Sequence, residues 1–474
     1  MHSHRLRWRS RPGVPALAFA ARLALSFGSL RAGGALDADA VGFSIADAGS
    51  SLKLPCTRQL ELMHQAEAAG ASGILTVSLP GLLGNLMFAV AALEGIADKL
   101  HRPAHLSVVD SLHKTGPEAG GDTAADELSA RRLHSFAAAF GLQFCEAHGL
   151  NSSWHDLNFG RGWGRYDEGI DAAGIRRVSD ADGDAVPSAV RVTPSFARHF
   201  FEHLPREKLR RLFRFPPPVA SKAQAFLQAS REEYARKAGL AAEQLRLVGV
   251  HVRRGDKNWE YHLFNEWSHG APYISRAMHV VHRIFHSPAT QGRHVLFVVT
   301  SDDHQWVRDS FRLPNMVLSP FVTTPECKMA ITCDDPLVDM AILSMCDAVV
   351  VSGSSTYSWW AAYLSADTSV TIAPRLPVNP QGPFGPCAST GREGVTDAAA
   401  HTALASAQSC GVSGGSAGLM AARGIGVWVA GRRTHAECQE FWSHDYYPDD
   451  WILLDEDPGA MPSDPGHMPA EISA

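Results

Sequence analysis

Residues 247–257 read Leu-Val-Gly-Val-His-Val-Arg-Arg-Gly-Asp-Lys. The apolar run 247–250 has the length and β-branched content of a short buried strand. It leads directly into His251, the paired Arg253 and Arg254, Gly255, and Asp256–Lys257. Open α/β sheets bind ligands at the carboxyl ends of their strands. Two planar guanidinium groups delivered there suit a diphosphate, and Gly255 allows a tight turn or close backbone approach. The competing reading, a solvated loop of Arg–Asp pairs, is weaker because a buried strand feeds it.

Three further stretches repeat this strand-then-polar-turn grammar. Residues 74–77, Ile-Leu-Thr-Val, read as a strand, followed by a glycine turn holding Gly81, Gly84 and Asn85 and an apolar helix over 86–100. That is the opening of a nucleotide-type unit, in which helix N-termini hold anions. Residues 295–300, Val-Leu-Phe-Val-Val-Thr, form a second clear strand ending in Ser301-Asp302-Asp303, with Trp306 on the next helix. Acids there accept from ribose hydroxyls or a base N–H, or Ser301 or Asp302 caps the helix. Residues 339–346 read as a helix and 348–351 as a strand. A Ser352-Gly-Ser-Ser-Thr356 turn and a helix over 357–364 follow, so hydroxyls and N–H groups face a phosphate.

The chain of 474 residues exceeds one core and calls for two domains with extras. Hydrophobic content of 45% and charged content of 19% describe a globular protein, and a net charge of −6 excludes the broad basic face of a nucleic-acid binder. An anionic ligand must therefore meet a local basic cluster, such as 251–257. The first 36 residues carry six arginines and no acid, around an Ala/Leu-rich run broken by Arg22. It reads as a targeting segment, either a signal peptide with its apolar core at 14–21 or an Arg-rich organelle transit peptide, with membrane association through the N-terminus as an expectation.

Eight cysteines show no metal-binding spacing. Cys327 and Cys333 are positioned for a local bridge in an oxidising lumen, whereas Cys346 lies in an apolar run as a buried thiol. Asn151-Ser-Ser153 is a glycosylation triplet. The D-x-D triplets at Asp180, Asp182 and Asp184 lie in polar sequence, so no metal and no cofactor are expected. Elsewhere, 102–109 reads as a strand, 128–144 as a helix burying Leu133, Phe136 and Phe140, and 151–184 as irregular loop. A helix over 221–238 stops at Gly239, near an expected domain boundary.

These motifs resemble those of the inverting, GDP-fucose-dependent α-1,2-fucosyltransferases. His251-Val-Arg-Arg-Gly-Asp256 is similar to their H-x-R-R-G-D. Gly81-Leu-Leu-Gly-Asn-Leu86-Met-Phe88 resembles G-x-L-G-N-Q-M-F, with Leu86 replacing Gln. The segments 295–306, 339–346 and 355–364 follow the patterns around S-D-D, L-S-x-C and S-T-F-S-W-W, with Tyr357 replacing Phe. Tyr446-Tyr-Pro-Asp-Asp-Trp451 looks like the closing Y-P-x-D-W. The matches fall in family order.

The resemblance implies an α/β fold of GT-B type: two facing Rossmann-like domains with the active site in the cleft. The expected division is a targeting segment or disordered N-terminus at 1–40 and an acceptor-side α/β domain at 41–240. A donor-binding Rossmann-like domain takes 241–379 plus 437–457, with a low-complexity insertion at 380–436 and a tail at 458–474. The implied reaction moves fucose from GDP-fucose to the 2-hydroxyl of a galactose-type acceptor glycan with inversion and without metal, in the Golgi lumen. Arg253 is expected on the β-phosphate with Arg254 in support, His251 on guanine or phosphate, and Asp339 on the guanine edge. Ser355, Thr356 and Ser358 are expected on phosphates, and Gly84, Asn85 and Asp302 among the donor contacts. Asp256 is the nearest carboxylate for the base, or it braces Arg254. Two rival readings stand beside this one. One is a core α-1,6-type or other GDP-fucose fucosyltransferase, whose H-x-R-R continues Thr-Asp-Lys and is echoed by Lys257. The other is a non-catalytic nucleotide- or glycan-binding relative.

Overall fold

The central strand, β4 (Leu245–Val252), is apolar on both faces, with only Arg246 partly exposed. Such a strand must be covered on both sides, which is how parallel sheets are built. A computed structural model describes residues 50–68, 74–79, 81–100, 103–106, 123–145, 155–158, 189–193, 196–254, 270–286, 293–321, 335–353, 355–367, 369–375 and 446–454.

In chain order these residues form α1 (Cys56–Ala68), β1 (Ile74–Val77), α2 (Leu83–Leu100), α3 (Thr123–Phe140), β2 (His155–Asn158) and β3 (Ala189–Thr193). There follow α4 (Arg206–Leu212), α5 (Pro217–Ala238), β4, α6 (Ala271–Phe285), β5 (His294–Ser301), α7 (His304–Ser310) and β6 (Met316–Leu318). The chain continues through α8 (Asp335–Ser344), β7 (Ala348–Val350), α9 (Thr356–Leu364), β8 (Val370–Pro374) and β9 (Ile452–Leu454).

Two sheets result, and every strand pairing in them is parallel. The first runs β1-β3-β2 and the second β6-β5-β4-β7-β8-β9. Counted along the second sheet's own strands, that order is 3-2-1-4-5-6, the doubly wound arrangement whose switch point lies between β4 and β7. The expected α/β, GT-B-like class is therefore the class observed.

Several local expectations change. The segment 151–184 was expected to be irregular, yet it supplies β2, whose residues His155–Asn158 pair with Val190–Thr193. His-Asp-Leu-Asn has little intrinsic strand preference, so the partner strand decides its conformation. The strand expected at 102–109 is, among described residues, one bridge between Leu75 and Ala104. Helix α3 ends at Phe140 instead of 144, because Gly141 takes φ +66°. Helix α5 begins at Pro217, four residues earlier than expected, since prolines are tolerated in a first turn. It packs on α8 and β4 of the second sheet, although the sequence boundary put it with the first half. The insertion, the tail, the N-terminal segment, Cys327, Cys333 and the D-x-D triplets lie outside the described residues.

One apolar core reaches across both sheets, from Leu75, Val77, Val190 and Val192 to Leu247, Val298 and Val349. Its centre is aromatic. Phe88 of α2 lies 4.6 Å from Trp359 and 5.3 Å from Trp360 of α9, ring to ring. Trp359 also stacks on Tyr363 at 4.8 Å and donates its indole N–H to Tyr446 O at 2.8 Å. The closing segment 446–451 is thereby riveted onto α9, each aromatic pair contributing roughly 0.5–1.5 kcal/mol beyond its buried area.

Cys56 and Cys145 form a disulfide spanning 89 residues and tie α1 to the chain beyond α3. A bridge closing so long a loop removes much unfolded-state entropy. Replacing both cysteines with serine is expected to lower unfolding free energy by about 2–4 kcal/mol. Denaturant titration with and without reductant checks this; an unchanged midpoint would show that the bridge contributes nothing.

Candidate functional site

The carboxyl ends of β4, β5 and β7 converge at the switch point of the second sheet. Arg253 and Arg254 leave β4 there, and Asp302 follows β5. One Asp302 oxygen accepts the Arg253 guanidinium at 2.5 Å, and the other accepts the Arg254 backbone N–H at 2.7 Å. The Arg253 N–H also donates to Ser352 Oγ at 3.3 Å, joining the turn after β7. Arg254 lies with its guanidinium carbon 4.3 Å from the Trp306 ring centre, and its Nε is buried without an acceptor among the described residues. A stacked guanidinium with a buried, unsatisfied N–H offers its in-plane edge to an anion.

Asp302 therefore has both oxygens engaged in orienting the arginine pair. The helix cap expected at Ser301 or Asp302 falls instead to Asp303, which accepts the Trp306 N–H at 3.0 Å. His251 is 6% exposed and sits inside β4, because the strand runs two residues beyond the apolar run visible in sequence. Its ring lies 5.1 Å from that of Tyr357.

Helix α9 starts at the same end of the sheet. Ser355 is its N-cap and accepts the Ser358 N–H at 3.4 Å. The Ser358 hydroxyl is fully buried and donates to Ser355 O at 3.3 Å, which gives it a local capping bond. Thr356 Oγ1 donates to Asn85 Oδ1 at 2.6 Å, across 271 residues of sequence. Gly84 makes this meeting possible: a Cβ there would lie 2.5 Å from the Tyr357 backbone N and 2.6 Å from the Thr356 carbonyl carbon. The glycine turn of the first half thus abuts the first turn of α9. Nothing larger than glycine fits between them without displacement.

Asp339 projects from α8 and accepts the Ser319 hydroxyl at 2.5 Å. Burial pushes its carboxyl up to about 7, and the Ser319 hydroxyl opposes that only in part. Burial likewise raises the Cys346 thiol, confirming the inert buried cysteine expected from its apolar run. Asp256 lies outside the described residues, as do Gly255 and Lys257. The structure thus brings together Gly84, Asn85, His251, Arg253, Arg254, Asp302, Ser355 and Thr356. Tyr357, whose ring faces His251, bonds to the Pro336 carbonyl in the first turn of the helix that carries Asp339. Sequence reading missed Ser319 and Ser352 as partners. Ser319 follows a three-residue strand with no local signal, and Ser352 was read as a phosphate-facing hydroxyl in its turn.

Comparison with known proteins bears mainly on the second sheet. Residues 194–383 match the family described as Glycosyl transferase family 11, so the resemblance read from the motifs holds there. The chain is 29% identical over 184 residues to the galactoside 2-alpha-L-fucosyltransferase Sec1 of Mus musculus, covering 37% of this chain and 41% of that protein. It is 30% identical over 180 residues to the SEC1 protein of Bos taurus, covering 37% and 41%. The O-antigen biosynthesis glycosyltransferase WbnK of Escherichia coli is 28% identical over 138 residues, covering 28% and 39%. The chain thus spans about two fifths of the length of these curated relatives. Among solved structures, the fucosyltransferase NodZ from Bradyrhizobium overlays with TM-score 0.35 at 16% identity, covering 61% of this chain and 92% of that one. POFUT1 in complex with GDP overlays with TM-score 0.35 at 11% identity, covering 64% and 97%. The family match contains Arg253, Arg254, Asp302, Asp339 and the α9 turn, whereas Gly84 and Asn85 lie before it.

The raised Asp339 pKa has a testable sign. The folded state holds this proton up to about pH 7, whereas the unfolded carboxyl releases it near its ordinary value of 3.8. Folding is therefore favoured below that ordinary value, and the advantage drains away as pH rises to about 7. Asp339→Asn is expected to remove a fall of a few kcal/mol, on the order of the linkage term, between pH 4 and pH 7. Urea midpoints across that range check it; parallel curves for both proteins would refute the assignment.

Proposed function

We propose that this chain transfers fucose from GDP-fucose to the 2-hydroxyl of a galactose-type acceptor glycan, with inversion at the anomeric carbon. The observation that carries the reading is the arginine pair fixed by Asp302 at the switch point of a Rossmann-type sheet. A match to family 11 and similarity to named α-1,2-fucosyltransferases support it.

In this reading the acceptor oxygen attacks the fucose anomeric carbon while the bond from that carbon to the β-phosphate oxygen breaks. GDP leaves with its electron pair, and the acceptor proton passes to a base. The chemistry demands a positive group on the departing phosphate and a proton acceptor on the opposite side. Arg253 supplies the first and Arg254 supports it through its buried N–H edge. Guanidinium charge serves this purpose without a metal, and the reading assigns no cofactor. The α9 turn offers N–H groups and the Thr356 hydroxyl to phosphate oxygens, assisted by the helix dipole. Asp339 takes the guanine edge beside His251. Asp256 remains the assigned base candidate. Asp302 acts by holding both arginines, which supersedes its reading as a ribose contact.

The residues divide in this proposal into an acceptor side built on the first sheet and a donor side built on the second. The Cys56–Cys145 bridge suits an oxidising lumen such as the Golgi. Among the described residues no helix is long and apolar enough to cross a membrane.

Arg253→Ala is expected to lower transfer by on the order of 10²–10³ while the protein remains folded. Incubation with GDP-fucose and galactose-ended acceptors, followed by linkage analysis of the product, checks both halves of the proposal. Unchanged turnover by the variant would remove Arg253 from the chemistry, and a product linked elsewhere would remove the 2-hydroxyl assignment.

A further inference from the structure

Arg254 is held twice by one short connection. Asp302, just after β5, accepts its backbone N–H at 2.7 Å, and the Trp306 ring centre lies 4.3 Å from its guanidinium carbon. That ring is itself held. The Trp306 backbone N–H donates to the Asp303 carboxylate at 3.0 Å, and the indole packs edge-on against Phe311 at 5.5 Å, a buried residue at the far end of α7. The two arginines are therefore fixed in different ways. Arg253 gives a guanidinium N–H to the Asp302 carboxylate, so a negative charge already balances its own. Arg254 gives Asp302 its backbone N–H, and its guanidinium lies on a neutral ring. A ring face engages the π surface of a guanidinium and leaves its in-plane N–H donors available, whereas a carboxylate occupies them. The Nε donor in that plane is buried and has no acceptor among the described residues.

We propose that Trp306 is a positioning residue for Arg254, and that the stacked pair supplies most of the ground-state attraction for the donor diphosphate, while Arg253 acts on the phosphate as it leaves. This rests on the donor reading given above and separates the two arginines within it. The physical logic joins charge to entropy. A guanidinium facing a carboxylate has little net pull on a second anion, because the pair is close to neutral at the distance of a ligand. A guanidinium stacked on an indole keeps its whole charge. Left free, such a side chain would sample many rotamers and lose them on binding. The indole removes that loss in advance, and a buried N–H without an acceptor gains most from meeting an anion. Asp302 thus sets where the Arg254 backbone stands, and Trp306 sets the plane its guanidinium takes.

The test measures GDP binding to the full chain by calorimetry, together with donor KM and kcat for transfer. The wild type is expected to bind GDP. Trp306→Leu removes the ring face and is expected to weaken GDP binding by about fivefold, the size of one partly desolvated cation–π contact. Donor KM is expected to rise by the same factor, with kcat changing much less. Trp306→Phe restores a ring face and is expected to recover most of the lost affinity. In an Arg254→Ala background, Trp306→Leu is expected to have no further effect on GDP binding, since the indole acts only through that guanidinium. A kcat that falls in step with affinity, a Phe variant as weak as the Leu variant, or additive effects of Trp306→Leu and Arg254→Ala would each show a tryptophan that merely supports the fold, and would overturn the inference. Unchanged GDP affinity in Trp306→Leu would overturn it too. All of these outcomes leave the donor reading intact. A wild-type protein that does not bind GDP would overturn the donor reading and this inference with it.

Discussion

Everything at the switch point depends on where one carboxylate stands. Asp302 takes a guanidinium with one oxygen and a backbone amide with the other, so the two residues that follow β4 leave the sheet in a fixed direction. The Arg253 and Asp302 side chains are only 16% and 11% exposed. An ion pair in that setting gains little net stability, because desolvation offsets most of the attraction. Its value lies in geometry. A free arginine would hold many rotamers and would have to surrender them on meeting a phosphate, at roughly 1.5–2 kcal/mol each. Pairing with Asp302 and stacking on Trp306 make that sacrifice during folding.

The helix that faces these arginines is fixed at both ends. At its start, Ser355 caps it and Thr356 is bonded to Asn85. At its finish, the Arg206 guanidinium donates to the carbonyls of Tyr363 and Ala362, at 2.7 Å and 3.2 Å. Arg210 donates to the Ser365 carbonyl and pairs with Asp367 at 2.8 Å. Cations at a helix C-terminus meet both its free carbonyls and its dipole. Between those ends, Trp359 and Trp360 are wholly buried in the aromatic centre of the core. The first turn of α9 is therefore anchored by contacts that reach Phe88 on one side and Tyr446 on the other, residues separated by most of the chain.

How much of this was readable beforehand follows from the range of each interaction. The strands at 74–77, 295–300 and 348–351 stood out because burial on both faces writes a largely apolar run. The helix read at 357–364 stood out through the Gly/Ser/Thr turn before it and its paired tryptophans. The arginine pair could be recognised at a strand end from local sequence alone. What could not be read was the partner of each group. Nothing near Asp302 says that it serves two arginines instead of a ribose, and nothing near Ser319 says that it bonds Asp339. Strand β2 was missed because its pairing, not its composition, creates it. Cys56 and Cys145 gave no pairing signal, since spacing alone cannot distinguish among the many pairings of eight cysteines. The closing segment was visible as a motif, but its task of packing against Trp359 was not.

The shared core also determines what kind of motion the site permits. If the two sheets had separate cores, the glycine turn and the first turn of α9 would be free to separate by a hinge. Here Leu75, Val77 and Phe88 lie in the same buried cluster as Leu247, Val349 and Trp359. Gly84 allows backbone contact where any Cβ would force the helices apart, and the Thr356–Asn85 bond closes that contact. Opening the joint would expose aromatic surface worth several kcal/mol at about 25 cal/mol per Å². The two helix N-termini are consequently held side by side, each presenting positive dipole ends that repel one another when no anion lies between them. That repulsion is tolerated because the aromatic core holds the helices together. Under the reading proposed above, a diphosphate would meet groups already held in place by these contacts, which is binding by preorganisation.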